Sequence, residues 1–260
     1  MRRLFLKGLL APVVTLAGDD AHHLLYAMRA KAGDEVVLVD DAGQVARMEL
    51  TGFTADTVTM RLIERLAADT ESPLSLVLAQ CLPKGDKLEF IVQKAVELGA
   101  VAVQPLASRN SVVRYDAKKA AAKEKRWQKI ADEAAKQCGR TRLPAVRPIL
   151  TLADWLKAHQ ARADAALLFC YENEEQQPMK AALRALPASV REITLLIGPE
   201  GGFTLAEAEA IARAGGVSVT LGPRILRAET AAIAALSIAQ YERGDLGSGA
   251  VDFVAESAGA

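Results

Sequence analysis

The sequence is short of the features that would tie it to a membrane, a metal or a disulfide framework. No apolar run reaches the ~18–20 residues a membrane span requires. Cysteine is scarce, and Cys81, Cys138 and Cys170 stand far apart with no zinc-type spacing. Three reduced thiols and no bound metal are therefore expected. His22 and His23 are adjacent, so on a helix they point about 100° apart and cannot clamp one ion together. The opening, Met1 to Lys7, is too short and too interrupted for a secretory leader. These absences predict a cytoplasmic protein. Three common site motifs are missing as well: the G-x-G-x-x-G of dinucleotide binders, the phosphate loop G-x-x-x-x-G-K-[ST], and the nucleophile elbow G-x-S-x-G.

Net charge is absent too, with 32 basic and 32 acidic residues in 260. It is unevenly spread, however. Residues 109–147 carry twelve Lys/Arg against four Asp/Glu, whereas residues 1–72 carry eight against eleven. A long basic stretch is either a solvated helix face or a surface for RNA.

The pattern changes once along the chain. Residues 1–72 read as short strands around one helix, a small barrel. Glu35–Asp40 and Thr57–Leu62 are its clearest strands, and the helix runs from Asp20 to Lys31 with Asp19 or Asp20 as N-cap and Gly33 beyond its end. The polar run 67–73 ends in Pro73, where the boundary is set. After it strands and helices alternate: strands at 74–80, 101–105, 165–169, 193–197 and 217–221, helices at 86–98, 117–137 and 228–241. Alternation of this kind predicts an α/β unit with a largely parallel sheet. The tail 246–260 is rich in Gly, Ala and Ser and is expected to be frayed.

Two glycine-bearing loops hold the chemistry. LLIGPEGGFT at 195–204 is an apolar strand running into three glycines, and Thr204 with Glu207 forms a capping box for the next helix. Glycines at the carboxyl end of a strand let a ligand approach the backbone. LGPRILRAETA at 221–231 again follows a strand and opens an alanine-rich helix. Arg227 stands at that helix start, where the macrodipole disfavours a cation, so a task beyond folding is expected of it.

Read together, these loops resemble the signature of the 16S rRNA uridine-N3 methyltransferases (RsmE type) of the SPOUT superfamily. HHLLYAMRAKAGD at 22–34, KGDKLEFIVQKAVELG at 84–99 and RWQKIADEAAKQCGRTRLPAV at 126–146 resemble further segments of the family in the same order. One stretch departs: where the family reads Ser-Glu-Arg-[Ser/Cys], this chain has Ser108-Arg109-Asn110-Ser111.

The resemblance implies a PUA-like RNA-binding barrel over 1–72 and a SPOUT methyltransferase domain over 73–245, with a trefoil knot in about 165–241. It implies S-adenosylmethionine as cofactor, held by Phe169, Cys170, Tyr171, Ile197, Gly198, Pro199, Gly201, Gly202, Leu221, Gly222, Leu226, Arg227 and Thr230. Arg227, Glu229 and Glu200 become the catalytic candidates. Arg2, Arg3, Arg29, Lys84, Lys87, Arg109 and Arg140 become candidates for RNA contact, and Trp127 for either base stacking or core packing. The expected partners are 16S rRNA or the small ribosomal subunit and a second copy of the chain. Two alternatives stand beside this reading: a knotted ribose 2′-O-methyltransferase, and an rRNA-binding assembly factor without catalysis.

Overall fold

The structure is a computed structural model, and it describes residues 2–67, 70–159 and 162–247. The chain divides into two compact units. The first comprises 1–71 together with 135–142, and the second 72–134 with 143–249. Most of the tail, 248–260, lies outside the described residues.

The first unit is built on strands β1 (Arg2–Phe5), β2 (Val13–Ala17), β3 (Glu35–Val39), β4 (Val45–Phe53) and β5 (Thr57–Leu66). Their order in the sheet is β1-β3-β4-β5-β2, with only β1 and β3 parallel. Alternation puts Leu4, Leu16, Leu38, Met48, Leu50, Val58 and Met60 on one face, where they form the core. Register shifts at Arg47/Met48 and Leu50/Gly52 mark irregular pairing, which bends a strand and lets a sheet curl. The turn after β3 is organised by Asp40, whose buried carboxylate accepts from the N–H groups of Leu10 (3.0 Å), Ala42 (3.0 Å) and Gln44 (2.8 Å).

The helix of this unit is shorter than its sequence predicts. α1 (Asp19–His22) widens into a π turn over His23–Ala27 and ends there. Arg29 takes a positive φ of 53°, which a helix cannot continue through. The N-cap is Gly18, without a side-chain cap, and Asp20 instead holds Lys136 at 2.7 Å.

The second unit is a parallel sheet with helices. In chain order it runs β6 (Ser75–Cys81), α2 (Lys87–Glu97), β7 (Ala100–Ala107), α3 (Ala117–Cys138), β8 (Ala145–Val146), β9 (Leu150–Thr151), α4 (Leu152–Ala158), β10 (Ala165–Cys170), α5 (Met179–Ala185), β11 (Glu192–Ile197), α6 (Leu205–Arg213), β12 (Gly216–Val219) and α7 (Ala228–Arg243). The last residues of α3 count with the first unit. The sheet order is β12-β10-β11-β6-β7-β8, with β9 also on β7 and every ladder parallel. Strands covered on both faces read as continuous apolar runs, and β6 is buried along nearly its whole length. Trp127 of α3 is 2% exposed and meets Tyr115 edge-on at 6.3 Å, which makes it a core residue and not a stacking platform.

Strand order reverses between β6 and β11. β6, β7 and β8 progress to one side, while β11, β10 and β12 lie on the other. Open α/β sheets place ligands at the carboxyl ends of strands beside such a reversal. α7 follows the edge strand β12 yet packs on α2, α5, β6 and β11. It is locked there by the buried Gln240, which accepts from the Ser72 hydroxyl (2.8 Å) and donates to the Leu98 carbonyl (3.0 Å).

Candidate functional site

A cleft of about 270 Å³ opens at the carboxyl ends of β10, β11 and β12. Its walls are the three segments leaving those strands: 170–172, 197–202 and 219–228. Ile197, Val219, Leu221 and Leu226 supply apolar surface, while Glu172, Glu200, Arg224 and Arg227 supply charge.

The middle loop is held on several sides. Gly202 has φ +61°, and a Cβ there would collide with the Glu172 carboxylate. The left-handed backbone favours glycine there, and any added Cβ would force the Glu172 carboxylate to move. From the sheet, the buried Gln80 amide donates to the Gly198 carbonyl at 3.3 Å. From the loop after β7, Asn110 donates to the carbonyls of Gly201 (2.8 Å) and Gly202 (3.3 Å). Downstream, the Thr204–Glu207 capping box starts α6. Phe203 turns inward against Phe169, ring centres 6.2 Å apart and nearly perpendicular.

Charges at the cleft are coupled through one lysine. Lys87, at the start of α2, lies 2.9 Å from Glu200 and 3.3 Å from Glu229. The backbone N–H of Lys84 also donates to both Glu200 oxygens, at 3.1 and 3.2 Å. Burial pushes the Glu200 carboxyl upward, but the Lys87 hydrogen bond and the backbone donors outweigh it and hold the group below its ordinary value. A carboxylate held low is a weak proton acceptor. Glu229 sits in the first turn of α7, where a negative charge is favoured. Arg227 is the N-cap residue of α7 but makes no side-chain cap, and with Arg224 it is exposed at the cleft.

Known proteins match this arrangement over nearly the whole chain. A family profile described as an RNA methyltransferase domain covers residues 70–240, and one described as an RNA methyltransferase PUA domain covers 16–63. The ribosomal RNA small subunit methyltransferase E of Bacillus subtilis is 38% identical over 90% of this chain and 94% of its own. The chain belongs to the ribosomal RNA small subunit methyltransferase E family.

A solved member from Neisseria gonorrhoeae, bound to S-adenosylmethionine, is 33% identical, covers 94% of this chain and 99% of its own, and superposes with a TM-score of 0.84. A methyltransferase from Legionella pneumophila, solved with the same cofactor, is 30% identical with a TM-score of 0.79, over 94% of this chain and 98% of its own. The fold is α/β with a PUA-like N-terminal unit, and the chain is an rRNA methyltransferase.

Within this family fold, most residues indicated by the resemblance converge. Cys170, Tyr171, Ile197, Gly198, Pro199, Gly202, Leu221, Gly222, Leu226 and Arg227 line the cleft. Phe169 stands behind it, 2% exposed in the core, Gly201 faces Asn110, and Thr230 lies outside the wall. Glu172, Thr220, Arg224 and Ile225 line the cleft without having been singled out. Gln80 and Asn110 brace it from segments far away in sequence, a contact no local motif announces.

The basic residues separate more sharply. Arg140 is corrected: it is 4% exposed, and its guanidinium is spent on Glu71 through Nε (2.9 Å) and Nη2 (2.5 Å), so it cannot reach RNA. The Lys87 ammonium, a third exposed, is paired with Glu200 and Glu229 at the cleft edge. Arg3 points to the carbonyls of Gly139 and Arg140. Arg29, Lys84 and Arg109 are exposed; the side chain of Arg2 lies outside the described residues. Among the described residues no group of three or more His, Cys, Asp or Glu could hold a metal, and no helix is long and apolar enough to cross a membrane.

Proposed function

We propose that the protein methylates N3 of a specific uridine in 16S rRNA, near the decoding centre, using S-adenosylmethionine bound in the three-loop cleft. One observation carries the reading: three segments leave adjacent parallel strands and enclose a mostly apolar cleft lined by a left-handed glycine, Gly202, set against the Glu172 carboxylate. That cradle fits the cofactor. Ile197, Leu221 and Leu226 suit the flat faces of an adenine, and the Glu172 carboxylate suits hydroxyl or ammonium donors. Bound there, the cofactor supplies an electrophilic methyl group.

The chain's own residues then have to prepare the nucleophile. Neutral uridine N3–H is a poor one, because its pKa lies about two units above neutrality and ionising it costs about 3 kcal/mol at pH 7. The exposed guanidinium of Arg227 stabilises the resulting anion by proximity. Glu229 is the better placed of the two carboxylates to take the proton, because Glu200 is depressed by Lys87 and by backbone donors. Holding the uridine in line supplies the remaining acceleration.

RNA contact falls to Arg2, Arg29, Lys84 and Arg109, on a PUA-like domain over 1–72 and a methyltransferase domain over 73–245 with its knot in about 165–241. The exposed side of α7, which carries Tyr241 and many small side chains, suits a second copy of the chain. The reading places the protein in the cytoplasm.

The test is labelled-methyl transfer to small ribosomal subunits and to free rRNA, followed by nucleoside analysis. N3-methyluridine is expected. A ribose-methylated nucleoside would replace the reading with 2′-O chemistry, and absence of transfer would replace it with a binding factor.

A further inference from the structure

The loop after β7 touches the glycine loop directly. Ser108 and Ser111 close this loop with a buried hydroxyl–hydroxyl bond of 3.0 Å, and the Ser108 N–H donates to Ser111 Oγ at 3.2 Å. Between them, Arg109 uses its backbone and not its charge: its N–H donates to Glu207 Oε1 at 2.7 Å. Glu207 spends its other oxygen on Thr204, accepting from the N–H at 3.0 Å and the hydroxyl at 2.9 Å. One carboxylate thus joins the 108–111 loop to the start of α6.

Asn110 completes the joint. Its amide nitrogen donates to two successive carbonyls, Gly201 O at 2.8 Å and Gly202 O at 3.3 Å. Its Cβ is also close enough that a Cβ on Gly201 would stand 3.2 Å away. An amide NH₂ has two protons, so one side chain can hold both carbonyls. Those carbonyls belong to the residues that turn the loop past the cleft, and Gly202 is the one pressed against Glu172.

We propose that Asn110 is a positioning residue for the cofactor: its amide fixes the Gly201–Gly202 peptide so that the cleft is shaped before S-adenosylmethionine enters. The proposal rests on the cofactor reading of the cleft. Asn110 does not line the cleft, so its effect acts through the loop. The donor polarity matters more than the volume. An aspartate in the same place has the same shape but presents oxygen to two carbonyl oxygens.

The test is calorimetric titration of S-adenosylmethionine into the full-length protein and into Asn110→Ala and Asn110→Asp, with melting temperatures measured in parallel. Removing a hydrogen-bond donor of ordinary strength predicts about 5–10-fold weaker binding for Asn110→Ala. Asn110→Asp is expected to lose at least tenfold more. Asn110→Arg, which restores a donor, should recover part of the loss. In methyl transfer, KM for the cofactor should rise while kcat changes little. Unchanged affinity in both Ala and Asp variants overturns the proposal, and so do equal losses, because packing alone would then account for them. Wild-type protein that takes up no S-adenosylmethionine overturns the cofactor reading and the proposal together.

Discussion

Arg140 and Lys87 are both basic side chains clamped by glutamate, and they differ in everything around the clamp. Arg140 is 5% exposed along its side chain, and Glu71 beside it is 12% exposed. Glu71 also accepts from the N–H groups of Thr141 (2.8 Å) and Arg142 (3.1 Å). Backbone donors take up lone pairs of this carboxylate beside the arginine, and the Arg3 charge acts on Glu71 as well. Lys87 is a third exposed and serves two carboxylates, Glu200 and Glu229, which leaves the cluster one negative charge in excess. The first arrangement is buried and ties Arg140, just past the end of α3, to Glu71. The second is open on one side, at the edge of a cleft that carries two exposed arginines. Burial, not residue type, separates structure from chemistry here.

The largest effect should come from breaking the buried cluster. Arg140→Ala leaves Glu71 buried without its counter-ion, which typically costs about 3–5 kcal/mol. Urea unfolding measures it, and a loss under about 1 kcal/mol would erase the contrast. Next comes the cleft. Arg227→Ala should lower kcat roughly 10²-fold, as removal of one preorganised charge donor does, with the unfolding midpoint near wild type. A parallel fall in stability would place Arg227 with Arg140 instead.

Acid sharpens the comparison further. The Glu71 carboxyl is pushed upward by burial, but the Arg140 hydrogen bond and charge with the Thr141 and Arg142 donors bring it below its ordinary value. Glu200 is lowered in the same sense. A carboxyl whose folded pKa is depressed stabilises the fold fully above its unfolded value, ~4.3, and loses that contribution as pH falls through the folded value. Stability should therefore drop on acidification below about pH 4–5. Glu71→Gln should flatten that limb more than Glu200→Gln, because Glu71 is the less exposed of the two.

The smallest effect concerns thiols. Burial raises Cys170 to about 12, although it borders the cleft, and Cys81 likewise. Little thiolate exists near neutrality at such values. Alkylation at pH 8 of the folded protein should leave both unmodified by mass spectrometry.

Much of the fold was legible because long apolar runs and periodic helices declare themselves. α2, α3 and α7 begin within a residue of their expected starts, and the parallel strands follow the apolar runs. α4 and α5 were not read, since each has seven residues, about two turns, too few to show a period. α1 was read too long because nothing local announces the backward turn at Arg29. At the cleft, glycines mark themselves by position after a strand. The braces do not: Asn110 is 91 residues from Gly201 and Gln80 is 118 from Gly198. Arg140 stood in a basic stretch and looked like a surface charge, because its partner Glu71 lies 69 residues earlier.

The burial of Trp127 also has an optical consequence. The chain contains two tryptophans, and both Trp127 and Trp155 lie in the second unit, at 2% and 8% exposure. Indole emission therefore follows that unit alone, whereas circular dichroism records the strands and helices of both. Buried indoles emit to the blue, so a red shift that lags the loss of ellipticity during heating would show the barrel melting first. Coincident curves would show the two units unfolding as one.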